Sequence, residues 1–555
     1  MNPFLVQKYG QEAINNGYVS PEVPVVIRDE ERASYIMRNI DTFKFSPGAE
    51  RAKNEIVNNF SIRSAGETAT LIPAFYANLN EREVEALKSS EYVVSVDRMN
   101  TDEKASTFSA YYDYTLSGEI VPWGKQAINA DDSISVANYF YIIDSKISGS
   151  ALYSEANIVS TDGDGTSTDH AASVISLATA KSNFAKIRGI NPGQPVVHLG
   201  TTLTEPNLLN KLNTVALMSE QLGQFSTLNL SFNTNPGYAN SYNHNTPIGR
   251  AIRKASGRLL IVQSAGNFNG NACLHAYNNH YGTSDPNDGI LVVGGTDRFG
   301  DRFPYTFNPS PFGAVDRSNY GACVEVWAPG SEMTTMVDNG TLGAYTGTSF
   351  AAPLVAAVAG RYGDTSTRPI EREAYVRNGM SFTGKYEGAP GSNLPIYLVR
   401  YTAPSSHNIS KRLPIVGAYS ISNPNSSLGT TNLASLFDQK FYDDTYYWNA
   451  GSTWGGVVLD LGSKRQLSGV RVMLRSSASN LEQLDFAIHG ADSISVLAPN
   501  VVAMLNNPIA YRSFFDQYDF VPYYIPLSGN YRYVMVEANN QGSWLAFSEV
   551  EIYGN

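Results

Sequence analysis

Tyr139-Phe140-Tyr141-Ile142-Ile143-Asp144 is a short apolar run that ends on a carboxylate, and similar runs recur downstream. They are PVVHLG (195–200), STLNLS (226–231), LLIVQSAG (259–266) and GILVVGG (289–295). Each is short and apolar on both faces, and stretches with helical spacing separate them. That alternation over residues 131–400 is the pattern of a parallel sheet with helices on both sides. Asp144 then stands at the C-terminal end of a buried strand, the edge at which open α/β sheets bind ligands. A strand-end turn residue is the plain alternative reading.

On the N-terminal side, residues 1–22 are polar and unassigned, and residues 23–99 read as a small α+β domain. VPVVIR (23–28) reads as a strand, ERASYIMRNI (31–40) as a helix and AGETATLIPAFYANL (65–79) as alternating strand. Asn80 with Glu83 three residues on, then Val84 and Leu87, predicts a capped helix, and YVVSVD (92–97) a closing strand. Residues 100–120 read as a linker. On the C-terminal side, a Ser/Pro/Asn-rich linker at 403–414 leads into residues 415–555, where helical spacing disappears. VVLDLG, GVRVMLRS, LDFAIHG, YRYVMVEA and EVEIYG are short alternating strands, as in an all-β jelly-roll sandwich.

Composition narrows the function. The 555 residues are 42% hydrophobic and 16% charged, a globular balance, with 40 basic against 51 acidic residues and a net charge of −11. That charge argues against nucleic acid as a partner, since phosphate contacts need a basic surface. No eighteen-residue apolar run marks a transmembrane helix, and the first residues show no basic-then-apolar secretory signal. Two cysteines exclude a disulfide framework or a cysteine-only zinc site. The abundance of Tyr, Asn, Ser and Gly has an extracellular or virion-like texture.

The sharpest chemical signal is Thr346-Gly347-Thr348-Ser349-Phe350-Ala351-Ala352-Pro353, running into the Ala/Val-rich LVAAVAGRYG. It sets a serine hydroxyl at the N-terminus of a helix slim enough to be buried, where free N–H groups favour developing negative charge. A serine nucleophile needs a base, and the base an orienting carboxylate. Of seven histidines, His170 opens HAASVISLATA, another small-residue helix, and Asp144 supplies the carboxylate.

In the order Asp144, His170, Ser349 the chain resembles the subtilase family. Ile142 to Ser145, Asp169 to Val174 and Gly347 to Pro353 resemble its Asp, His and Ser blocks. Gln263-Ser264-Ala265-Gly266-Asn267 resembles the block whose Asn donates to the oxyanion, and Leu228-Asn229-Leu230-Ser231 the strand on which an extended peptide adds as an edge strand. Gly189 to Gly193 and Val326 to Gly330 are further landmarks, so the resemblance covers about 121–402. It implies a serine endopeptidase with Asp144, His170 and Ser349 as catalytic residues and Asn267 in the oxyanion hole. Leu230, Ser231, Phe232, Ser264, Ala265 and Gly266 would meet substrate. Two departures bear on specificity: Ala171-Ala172-Ser173 replaces the usual Gly-Thr-His, and Phe232-Asn233 replaces glycines.

The same resemblance gives other segments an expected role. Cys273 and Cys323 resemble a pair in the proteinase K-like branch; bridged, they would close a loop of about fifty residues and stabilise by roughly 4 kcal/mol in the chain-entropy model, with two separate thiols the alternative. Phe75 to Leu79, Glu83 to Leu87 and Tyr92 to Asp97 resemble the subtilisin propeptide, which implies an inhibitor domain and a processing site between Asn100 and Glu119. Leu436 to Asp438, Tyr446 to Trp448, Val457 to Gly462 and Ala546 to Gly554 resemble a discoidin domain. That implies a glycan or cell-surface ligand, or docking on the protease, with Asp438 and Glu549 at the positions of a structural calcium site. No cofactor is expected for the chemistry. Asp162-Gly163-Asp164-Gly165 looks like a calcium loop, but Ser173 stands where an EF-hand needs Glu. The rival to a proenzyme is a latent subtilase scaffold, virion-associated for example, that binds rather than cuts.

Overall fold

A computed structural model describes residues 33–38, 74–79, 95–99 and 113–555. Within the last range it omits 117, 132–137, 184, 234–245, 277–285, 304–316, 403–407, 422–431, 443–446, 475–482, 498–499, 504–506, 515–520 and 542–543. The chain divides into two compact units, residues 1–112 with 306–308, and residues 113–305 with 309–555.

In the first unit, β1 (Ala33–Arg38) lies between β2 (Ala74–Leu79) and β3 (Ser95–Met99), antiparallel to both. Residues 33–38 are therefore a central strand, which corrects the helix expected over 31–40. The spacing of ASYIMR serves either period; partners on both sides decide for the strand, because two ladders satisfy every backbone group of the segment. The strand expected at 23–28 and the helix expected from Asn80 fall outside the described residues.

The second unit begins before the boundary expected at residue 121. β4 (Tyr114–Leu116) and β5 (Glu119–Val121) form a hairpin ahead of the short helix α1 (Trp123–Ala127). Buried Glu119 holds the hairpin down: its carboxylate meets Arg188 at 2.5 Å and accepts the Asn183 N–H at 2.6 Å. The main sheet follows, built from β6 (Phe140–Asp144), β7 (Asn157–Asp162) after helix α2 (Ser150–Glu155), and β8 (Pro195–Gly200) after helix α3 (Asp169–Thr179). Helix α4 (Glu205–Gln221), β9 (Ser226–Leu230), helix α5 (Pro247–Ala255), β10 (Leu259–Ser264), β11 (Ile290–Thr296) and β12 (Val326–Pro329) continue it. The hairpin β13 (Met333–Met336) with β14 (Leu342–Tyr345), helix α6 (Thr348–Gly360), helix α7 (Pro369–Gly379), β15 (Ser381–Tyr386) and β16 (Pro395–Leu398) complete the domain.

The nine strands lie in the order β15-β16-β12-β11-β10-β9-β6-β8-β7, parallel throughout except for β15 at the edge. Strand order therefore reverses at β6, which has β8 on one side and β9 on the other. That is the switch point at which open α/β sheets form a crevice beyond the strand ends, and Asp144 ends β6 there. Tyr141, Ile143, Val197, Leu199, Leu228, Leu230 and Ile261 bury one face of the sheet against α4 and α5.

The C-terminal region is antiparallel and β-rich. Its short strands are β17 (Lys411–Arg412), β18 (Gly417–Ser420) and β19 (Trp448–Asn449), and a long β20 (Trp454–Leu474) pairs β25 and β26. Strands β21 (Leu484–Ala491), β22 (Ser495–Leu497), β23 (Asn500–Ala503), β24 (Ala510–Phe514), β25 (Pro522–Asn540) and β26 (Ala546–Gly554) complete it around an apolar core. This region is continuous with the α/β lobe: Phe441, Tyr442 and Met473 belong to the same buried cluster as α4 and α5.

Buried charge lines that seam. Glu220 accepts the backbone N–H groups of Phe441 (2.6 Å) and Tyr442 (3.0 Å), and Arg258 donates to the Gln439 carbonyl at 2.7 Å. Arg471 donates to the carbonyls of Ser256 (2.5 Å) and Gly257 (3.2 Å), while Arg368 meets Glu551 at 2.6 Å. Glu549, the expected calcium ligand, lies in this network and accepts the Gln439 N–H at 3.1 Å. Burial first, then the charge of Glu551, pushes its carboxyl well above the ordinary range. Glu551 is also buried, yet Arg368, Arg471 and Arg412 hold it low, so Glu551 carries the negative charge of the two. Among the described residues no cluster of three His, Cys, Asp or Glu that could hold a metal ion stands at Asp438 and Glu549.

Candidate active site

Asp144 and His170 come from different elements and meet at the crevice. The hydrogen-bond geometry requires the His170 Nδ1 proton to point at the carboxylate, 2.8 Å from Oδ1 and 3.0 Å from Oδ2. Asp144 is buried at 3% exposure, whereas 34% of the His170 side chain is open, leaving Nε2 as an accessible acceptor. Burial by itself would lower the His170 pKa; the charge and hydrogen bond of Asp144 outweigh it and hold the ring above its usual 6.5.

Local sequence explains why the ring sits there. Thr168 is the N-cap of α3, its Oγ1 accepting the His170 N–H at 3.3 Å and donating to Ser145 Oγ at 2.7 Å. Ser145 also accepts the Ala171 N–H and donates its own N–H to Asp144 Oδ1 at 2.6 Å, which ties the strand end to the helix start. Ala171, Ala172 and Ser173 are all buried, so small side chains let α3 approach its neighbours.

Ser349 is the second residue of α6, a helix buried along almost its whole length. Pro353 has no N–H to return to the Ser349 carbonyl four residues earlier. Ser231 fills that vacancy: its Oγ donates to the Ser349 carbonyl at 2.8 Å, and the Asn229 amide holds the Ser231 hydroxyl at 2.9 Å. In return the Ser349 hydroxyl donates to the Ser231 carbonyl at 3.2 Å, and a bond to His170 would have to replace that one. Hydrogen bonds of this kind tighten only when substrate is bound.

Asn267 is fixed through its oxygen. Oδ1 accepts the Thr348 N–H at 2.8 Å and the Thr348 hydroxyl at 3.0 Å, leaving the Nδ2 donors beside the Ser349 turn. Gly266 before it has φ +101°, and a Cβ there would lie 2.5 Å from Asn319 Nδ2, so the position demands glycine. Asn319 braces the same loop, donating to the Ala265 carbonyl and accepting the N–H groups of Phe268 and Gly270.

The other expected substrate residues surround this arrangement. Leu230, Ser264 and Ala265 are buried, Ser231 nearly so, and Phe232 is partly buried beyond the end of β9. The edge-strand expectation for 228–231 needs correction: β9 pairs β10 on one side and β6 on the other, so both its edges are occupied. The pairing with β6 ends at Asn229 and that with β10 at Leu230. Cys273 and Cys323 form a disulfide, S–S 2.06 Å, below the Asn267 loop. The carboxylates of the Asp162–Gly165 turn hold Lys211 Nζ at 2.6 and 2.8 Å, an internal cation where a metal loop was considered. Sequence reasoning missed Thr168, Ser145, Thr348 and Asn319; of these only Thr168, a cap two residues before His170, carried a local signal.

Residues 132–366, which include Asp144, His170, Asn267 and Ser349, match the Subtilase family. An alkaline extracellular protease of Yarrowia lipolytica (strain CLIB 122 / E 150) is 34% identical over 143 residues, 24% of this chain and 29% of that protein. Proteinase R of Parengyodontium album is 23% identical over 307 residues, 52% of this chain and 70% of that protein. The crystal structure of a cold-adapted subtilisin-like serine proteinase aligns with a TM-score of 0.37 at 19% identity, over 49% of this chain and 92% of that one. The match thus spans less than a third of the first relative and about two thirds of the second.

Proposed function

We propose that this chain, built around a subtilase-family domain at residues 132–366, is a serine endopeptidase made as an autoinhibited proenzyme. The observation that carries the reading is the paired Asp144–His170 hydrogen bond facing a helix that begins at Thr348-Ser349, with Asn267 locked beside it. Ser349 Oγ attacks the scissile carbonyl carbon while His170 Nε2 takes its proton. Asp144 holds the resulting imidazolium. The negative charge on the carbonyl oxygen is met by Asn267 Nδ2 and the Ser349 N–H at the helix start. His170 then returns its proton to the leaving amine, and water repeats the sequence on the acyl-enzyme. The peptide runs along the backbone from Ser231 to Asn233, with Phe232 narrowing its non-primed side. All these groups are side chains and amides of the chain itself.

The N-terminal unit is the inhibitor in this reading, and processing falls before Asp113, because the hairpin at 114–121 is tied into the catalytic lobe through Glu119 and Arg188. The C-terminal region is a docked structural lobe: Arg471, Gln439, Phe441 and Tyr442 are committed to the seam rather than to an outside ligand. Export to an extracellular or virion surface fits the disulfide, which persists in oxidising compartments. Intact mass and fluorophosphonate labelling, wild type beside Ser349→Ala, test the assignment. Labelled wild type that loses its N-terminal unit, beside an unlabelled and unprocessed variant, is the expected result. Absence of labelling in both would make the chain a latent scaffold.

A further inference from the structure

We propose that His198 is a positioning residue for the Asp144–His170 pair, holding from the neighbouring strand the turn on which both depend. The inference rests on the endopeptidase reading above. His198 lies on β8, opposite Ile142 of β6, and is buried at 1% exposure. Its Nε2 stands 2.8 Å from the Ser145 carbonyl and its Nδ1 2.9 Å from Thr161 Oγ1 of β7. A carbonyl can only accept, so Nε2 carries the proton; on a neutral ring Nδ1 is then the acceptor, with the Thr161 hydroxyl placed to donate to it. One donor and one acceptor match what a neutral imidazole offers. The charged groups facing it are Asp144 from β6, Asp162 from β7 and Lys211 from α4; burial, with Lys211, outweighs the hydrogen bond to the Ser145 carbonyl and the two carboxylates and holds the ring below its usual value.

The residue held in this way is the hub of the site. Ser145 orients Asp144 through its N–H and accepts both Thr168, the cap of the His170 helix, and the Ala171 N–H. Its carbonyl has His198 as the anchor on the side away from the crevice. An apolar side chain at 198 would leave the buried Ser145 carbonyl without its donor, while the exposed Thr161 hydroxyl keeps the Asp162 carbonyl and solvent, and an unpaired buried polar group shifts until it finds a partner. The cost therefore falls on the Asp144–Ser145 turn, not on the strand.

The experiment uses the full chain with His198→Leu and His198→Gln, the second keeping an amide donor at the reach of Nε2. Three quantities are read: the fluorophosphonate labelling rate, the low-field proton resonance of His170 Nδ1, and the unfolding midpoint. His198→Leu is expected to label about tenfold more slowly and to shift or broaden the Nδ1 resonance, with His198→Gln restoring most of both. Leu labelling at the wild-type rate with an unchanged resonance overturns the proposal. So does Gln behaving like Leu. Should His198→Leu not fold, His198→Asn, whose amide is too short to reach Ser145, replaces it against Gln. Should wild type itself not label, the endopeptidase reading falls while the resonance still reports whether His198 places the pair.

Discussion

The crevice and the seam between the lobes both bury ionic groups, and they treat them in opposite ways. At the seam the charges are met from within the protein: Arg471 bonds two carbonyls and faces Glu551, Glu220 takes two backbone N–H groups, and Arg258 lies 4.2 Å over the Phe225 ring. At the crevice the pair is satisfied on one side alone, Asp144 holding His170 through Nδ1 and Thr348 holding Asn267 through Oδ1, so that His170 Nε2 and Asn267 Nδ2 are not used by these bonds. A closed network specifies how two surfaces fit, and breaking it strands a charge. An open one reserves its free valences for a reacting molecule. The distinction sorts the buried polar residues of this chain into those that hold it together and those poised to act.

The sharpest way to break the comparison is Ser349→Ala, which should lower kcat by roughly 10⁶ on a peptide substrate and leave the unfolding midpoint unchanged. Next comes the seam. Arg471→Ala removes one partner from a buried network and should cost about 3–5 kcal/mol in denaturant unfolding, while the fully folded protein keeps its wild-type kcat/KM. A variant that loses activity but not stability would put the seam in the catalytic class. Asn267→Ala should cost about 10²–10³ in kcat with KM nearly constant, because its amide is used only when charge develops on the carbonyl oxygen. The smallest effect concerns pH. His170 is held above 6.5, and its protonated form cannot act as base, so kcat/KM should fall as pH drops through a midpoint above 6.5. The same shift stabilises the fold below about pH 6.5 and is lost as pH rises through the raised value. A titration of activity at or below 6.5 would show that Asp144 is not paired with the ring in solution.

Much of the site was legible because its signals are local. Gly347 to Pro353 shows a small-residue helix start, Ile142 to Asp144 a strand end, and His170 a helix opening, and each element is described where its pattern predicts it. The segment 31–40 misled because ASYIMR suits either period, and only pairing with β2 and β3 settles it. Glu549 shows a different limit: a glutamate at a matching position carries no information about the arginines around it, which come from 368 and 412.

By itself the sequence determined the alternation of buried strands and helices and the order of the chemically competent residues. These follow from periodicities and caps that act over a few residues. Tertiary structure alone decided that β9 has no free edge, that Ser231 satisfies the carbonyl released by Pro353, and that His198 backs the Ser145 turn. It also decided that the C-terminal lobe is joined to the α/β lobe through buried charge. Each of these joins residues tens to hundreds of positions apart, and hydrogen bonding and desolvation depend on where groups meet in space, which no local pattern encodes.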